Sequence, residues 1–168
     1  MTRTPRTAGT ATAALVAAVA LLVLTSGCAA VHQGDVQPTD VEKKGHVFVQ
    51  QTLAAIRPVT GTAKTTVYDQ GWTQCATETP GQHRFEYTFF VDVAVPKSKL
   101  GSVVTAARAD FAHRGYTNEY VPEPATGAVA APPKSEWRIN VGAGEGATVL
   151  LGVDSDCVFT RHDPKTVK

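Results

Sequence analysis

Six apolar residues in strict alternation, Phe85, Tyr87, Phe89, Val91, Val93 and Val95, constrain this chain more than any other stretch. A side-chain period of two sets all six on one face of a β-strand, and such a face needs a covering layer. The residues between them, Arg84, Glu86, Thr88, Phe90, Asp92 and Ala94, are mostly polar, so the opposite face is expected to meet solvent or a partner.

Two amphipathic segments can provide the cover. Thr39-Asp40-Val41-Glu42 has the form of a capping box, and Val41, Phe48, Val49, Thr52, Leu53 and Ile56 follow at helical spacing, so a helix is expected over residues 40–57, stopped by Pro58 and Gly61. Leu100, Val103, Val104, Ala107 and Phe111 mark a second helix, closed by Gly115 in the role of left-handed cap.

Strand-like composition accounts for much of the rest. Residues 65–75 are rich in Thr, Val, Tyr and Trp and are expected to pair with the alternating strand through a turn at Thr79-Pro80-Gly81-Gln82. Residues 116–121 form a further candidate strand. The run from Ala125 to Lys134, full of Ala, Pro and Gly, reads as an exposed loop that adds nothing to the core. Trp137, Ile139 and Val141 alternate with Arg138 and Asn140, and the glycine-rich turn at residues 142–146 leads into a last strand ending at Val153. The order α-β-β-α-β-β-β implies an α+β fold: an antiparallel sheet of about five strands with two amphipathic helices on one face.

The N-terminus reads as an address. Arg3 and Arg6 precede twelve apolar residues, Ala13 to Leu24, the length of a signal-peptide core and too short for a span. Leu24-Thr25-Ser26-Gly27-Cys28 then has the small residues and the cysteine of a lipoprotein cleavage and acylation site. The expected organisation is a signal peptide over residues 1–27, the lipidated Cys28 with a flexible tether over 28–38, and a single α+β domain over 39–168. Each buried methylene of an acyl chain contributes about 0.8 kcal/mol, so two or three chains hold a protein at a membrane stably. The expected location is the extracytoplasmic face of the cell membrane.

Removal of residues 1–27 leaves 141, a length suited to one core, and takes Arg3 and Arg6 with it, so that fourteen of the sixteen basic residues face fifteen acidic ones. Such a balance, with charges interspersed, argues against a nucleic-acid partner. Of the three cysteines, lipidation accounts for Cys28. Cys75 and Cys157 remain, in an oxidising compartment and without metal-ligand or CxxC spacing, and are expected to form a structural disulfide.

With the lipobox, the opening helix, the internal Cys75, the long aromatic and aliphatic strand before a helix, and the closing Asp156-Cys157-Val158-Phe159 in view, the chain resembles the LppA-type lipoproteins of mycobacteria and their actinobacterial relatives. The resemblance implies a membrane-anchored, disulfide-bonded α+β domain and carries over no catalytic residues.

Chemistry-bearing motifs are scarce. Asp154, Asp156, His162 and Asp163 cluster near the C-terminus, but their spacing fits no calcium or zinc motif, and solvated turn residues are the better reading. No G-x-S-x-G elbow is present, and Gly142, Gly144 and Gly146 lack the Lys-Ser/Thr of a phosphate loop. The expectation is a non-enzymatic binding or interaction module without a cofactor or metal. Its partners would be the membrane, through the lipid, and an envelope protein, glycan or lipid. A small-molecule or lipid carrier is the alternative, and a hydrolase the remote one. Phe90, an aromatic on the polar face, and Trp72 are the candidate binding-surface residues, with Trp137 and Tyr120 as further aromatics that could share that surface.

Overall fold

In the computed structural model, which describes residues 34–76, 84–119 and 126–165, helix α1 (Pro38–Thr60) opens the fold. Its first turn departs from the capping box. Gln37 occupies the N-cap position without a side-chain hydrogen bond and Pro38 stands within the first turn, where its missing N–H costs nothing and its fixed φ suits the helix. Pro58 does not end the helix either, because it falls in the last turn. Gly61 ends it, with φ 66° and its N–H donated to Arg57 O at 2.8 Å.

Strand β1 (Thr65–Gln74) and the alternating strand β2 (Arg84–Ala94) pair antiparallel, as the composition implied. The turn proposed at residues 79–82 lies outside the described residues. Between Val67 and Asp69 the register shifts, so Tyr68 is an extra residue bulged out of an edge strand, and both Val67 and Tyr68 are exposed. After a 3-10 turn at Lys97–Lys99, helix α2 (Leu100–His113) follows, and Gly115, at φ 69°, provides the left-handed exit.

Five further strands follow among the described residues: β3 (Thr117–Glu119), β4 (Gly127–Ala131), β5 (Arg138–Ala143), β6 (Thr148–Asp154) and β7 (Val158–Phe159). All pairings within the seven-stranded sheet are antiparallel, in the order β1-β2-β6-β5-β4-β3, with β7 continuing beside the start of β2. The α+β class and its single antiparallel sheet are therefore as expected, with more strands than the sequence revealed. The run from Ala125 to Lys134 is corrected in particular. Its centre is β4, whose Ala128 and Ala130 are buried in the core.

Both helices lie on one face. Val41, Val49 and Ile56 of α1 and Val103, Val104, Ala107 and Phe111 of α2 meet the inward residues of β2, β5 and β6 in one cluster. Gly45 of α1 sits where a Cβ would come within 2.9 Å of Tyr87 and 3.3 Å of Trp137, so the helix approaches the sheet at its glycine. The cluster is filled by Trp72, Tyr87, Phe111, Ile139 and Leu151, each at most 1 % exposed.

The first and last parts of the described domain are tied together. Val36 bridges Thr160, Arg161 N–H donates to Val36 O at 2.9 Å, and a Cβ on Gly34 would come within 2.7 Å of Thr160 O. The folded domain thus takes in residues 34–38, which composition assigned to the tether. Cys75, just after β1, is bonded to Cys157, between β6 and β7.

Candidate functional site

Because α1 and α2 cover one face, the alternate residues of the strands project onto a second face that no described residue covers. On β2 these are Glu86, Thr88, Phe90 and Asp92, all half-buried by their neighbours within the sheet. Beside them lie Asp154, Gly152 and Leu150 of β6, then Arg138, Asn140 and Gly142 of β5, in register. Val129 of β4, opposite Asn140 and Glu119, carries the face toward the far edge.

At one end of this face is an acidic cleft of about 420 Å³, lined by Glu86, Glu119, Glu136, Asp154 and Asp156 with Arg138, Ser135 and Ser155. Arg138 Nε stands 3.5 Å from Glu119 and is the one guanidinium among five carboxylates, so the cleft is negative. Burial, reinforced by Glu86, raises the Asp154 carboxyl to about 6, against the lowering effect of Asn140, whose Nδ2 donates to Asp154 Oδ2 at 2.8 Å, and of Arg138. Ser155 is buried, and its Oγ accepts the Tyr87 N–H at 2.8 Å, so this hydroxyl serves the backbone.

Farther along the same face is an apolar depression of about 290 Å³ between Phe90, Leu150 and Val129. Its floor is backbone. Gly142 pairs with Gly127 on one side and Leu150 on the other, and a Cβ on Gly142 would meet nothing nearer than 3.7 Å. Phe90 keeps its expected place on the polar face and has a neighbour there. Its ring lies over Gly152, where a Cβ would come within 2.1 Å of Cδ1.

The other sequence candidates separate. Trp72 is corrected from a surface position to the core: it is fully buried, its ring packs against Tyr87, and its Nε1 donates to Glu42 Oε1 at 2.9 Å. The Glu42 carboxylate, read as part of a capping box, is thus spent on the indole. Trp137 is also buried, and Tyr120 and Cys28 lie outside the described residues. Asp154 and Asp156 do meet in the cleft, whereas His162, whose Nδ1 is 3.0 Å from Asp163 O, is not among the residues lining it. Among the described residues no group of three or more His, Cys, Asp or Glu is placed to hold a metal ion. The glycines at 142–146 form the β5–β6 hairpin, with Gly146 at φ 67° and Thr148 Oγ1 donating to Glu145 O.

Sequence reasoning missed Glu86, Glu119 and Glu136. Only Glu86 carried a signal, its polar slot in the alternating strand. Arg114, paired with Asp110 at 2.7 Å, and Lys99, donating to Val59 O at 3.0 Å, are engaged in holding the helices and lie apart from this face. No helix among the described residues is long and apolar enough to cross a membrane. No family model, curated protein or solved structure matches the chain.

Proposed function

We propose that this chain is a lipid-anchored envelope protein, acylated at Cys28 on the extracytoplasmic side of the cell membrane, whose domain binds another envelope component through the uncovered face of its sheet. The observation that carries the reading is the one-sided packing: among the described residues the helices cover one face of the sheet, and the other bears a cleft and a depression side by side. The lipobox at residues 24–28 supplies the address, and a disulfide between Cys75 and Cys157 suits an oxidising compartment. Kinship with the LppA-type lipoproteins belongs to the same proposal.

A carrier with cargo between helices and sheet is the weaker reading, because Trp72, Tyr87, Phe111 and Leu151 fill that space. The test is expression of the full-length chain in an actinobacterial host fed a clickable palmitate. The parent is expected in the membrane fraction and labelled, and Cys28→Ala in the soluble fraction and unlabelled. A Cys28→Ala variant that stays in the membrane fraction overturns the anchor.

A further inference from the structure

We infer that the uncovered face of the sheet docks an extended, basic segment of a partner protein, which seats an apolar side chain in the depression over Gly142 and a lysine or arginine in the carboxylate cleft. The inference rests on the binding-module reading above and specifies the chemistry of its partner.

Three observations carry it. The two hollows are contiguous: Asn140 borders the apolar one and donates to Asp154, which lines the acidic one. The hollows are also opposite in character. Glycine backbone, Leu150 and Phe90 make the first a seat for a hydrocarbon or ring, while the second gathers five carboxylates around one guanidinium that already faces Glu119. Charge complementarity therefore selects a cation and repels nucleic acid and anionic headgroups. No tight cluster of ligating groups forms among the described residues, so a side-chain cation that makes separate contacts suits the cleft better than a metal ion.

Spacing selects the third property of the partner. Arg138, at the cleft, and Gly142, in the depression, are four residues apart on β5, about 13 Å at the rise of a strand. A ligand in extended conformation presents its side chains to one face at every second residue and spans that distance from position i to i+4. A single amino acid or simple amine reaches only one hollow.

The test uses the full-length chain in detergent micelles and a fluorescein-labelled peptide, Phe-Ser-Lys-Ser-Lys-amide, with binding read by anisotropy at low salt. Replacing both lysines of the peptide by glutamate, or its phenylalanine by serine, is expected to weaken binding at least tenfold, and salt is expected to weaken the lysine peptide. On the protein, Gly142→Leu fills the depression from an open strand position, and Glu86→Gln with Asp154→Asn removes two of the five carboxylates of the cleft. Each is expected to cost about tenfold in affinity. Equal binding of the lysine and glutamate peptides by the parent overturns the inference whatever the variants do, as does equal binding of the lysine peptide by parent, Gly142→Leu and the Glu86→Gln, Asp154→Asn variant. Self-association of the parent that Gly142→Leu abolishes overturns it in favour of a second copy. A parent that is membrane-bound and acylated but indifferent to peptide charge defeats this inference alone, whereas a soluble, unacylated parent that prefers the lysine peptide defeats only the tether.

Discussion

Gly152→Ala tests the closest approach on the uncovered face. A Cβ there would come within 2.1 Å of Phe90 Cδ1 and 2.4 Å of Cγ, where ordinary carbon contacts are about 3.5–4.0 Å. Since Cγ lies on the χ2 axis, turning the ring moves Cδ1 but leaves the contact with Cγ; the side chain must leave its χ1 well or the strands must part. Off-rotamer strain is about 0.5–1.5 kcal/mol, and uncovering part of the ring costs about 1–2 kcal/mol more. Replacing glycine by alanine returns about 0.4–1 kcal/mol through the unfolded chain, because Gly152 lies within β6 and has no positive φ. The net expectation is a loss of about 1–3 kcal/mol. In a Phe90→Ala background the obstruction is gone, and the same substitution is expected to be neutral or stabilising by about 0.5 kcal/mol. Urea unfolding followed by tryptophan fluorescence measures both, since Trp72 and Trp137 are buried. Equal cost of Gly152→Ala in the two backgrounds would refute the reasoning.

Further outcomes are expected elsewhere. Reduction of the Cys75–Cys157 bond, which spans 82 residues, should lower stability by about 2–5 kcal/mol, and an unchanged urea midpoint in reductant would contradict the role given to it. Glu42→Ala leaves the Trp72 indole N–H buried without its acceptor and should cost about 1–3 kcal/mol, whereas Glu42→Gln, which keeps an oxygen there, should cost less; thermal unfolding of the pair decides. Asp154, with its pKa raised to about 6, holds a proton in the fold that the unfolded chain releases near pH 4. Below about pH 4 both states are protonated, so its contribution is fully present there and is lost as pH rises toward 6. Asp154→Asn should flatten that decline, and stability curves of the two proteins that run parallel from pH 4 to 7 would exclude it.

What could be read in advance follows from the range of each interaction. The alternation in β2 and the exit at Gly115 are local, and both were legible. Strand β4 was not. Its Gly127-Ala128-Val129-Ala130-Ala131 has a single branched residue, Val129, and no aromatic to mark it as a strand, and it is held against α2, whose Arg108 donates to Gly127 O at 2.8 Å. The capping box failed because Pro38, one position upstream, is an equally local signal and prevails at the helix start. Glu42 was misread for want of Trp72, thirty residues away. The cleft was half legible: Asp154 and Asp156 stood out as neighbours, while Glu86, Glu119 and Glu136 join them only through strand order. Of the two strand aromatics singled out for the surface, Phe90 keeps its place through the alternation of β2, whereas Trp72 turns inward because the bulge at Tyr68 shifts the register of β1 before it.

The bridge from Val36 to Thr160 also sets a length. If the chain is anchored through Cys28 as proposed, only the five residues 29–33 separate it from Gly34 and the fold, and the six steps from Cys28 to Gly34 reach about 20 Å at full stretch. Ten residues, to Pro38, would have reached about 35 Å. On such a short leash the domain stays close to the lipid surface, and a partner meets its open face in the layer immediately above the membrane.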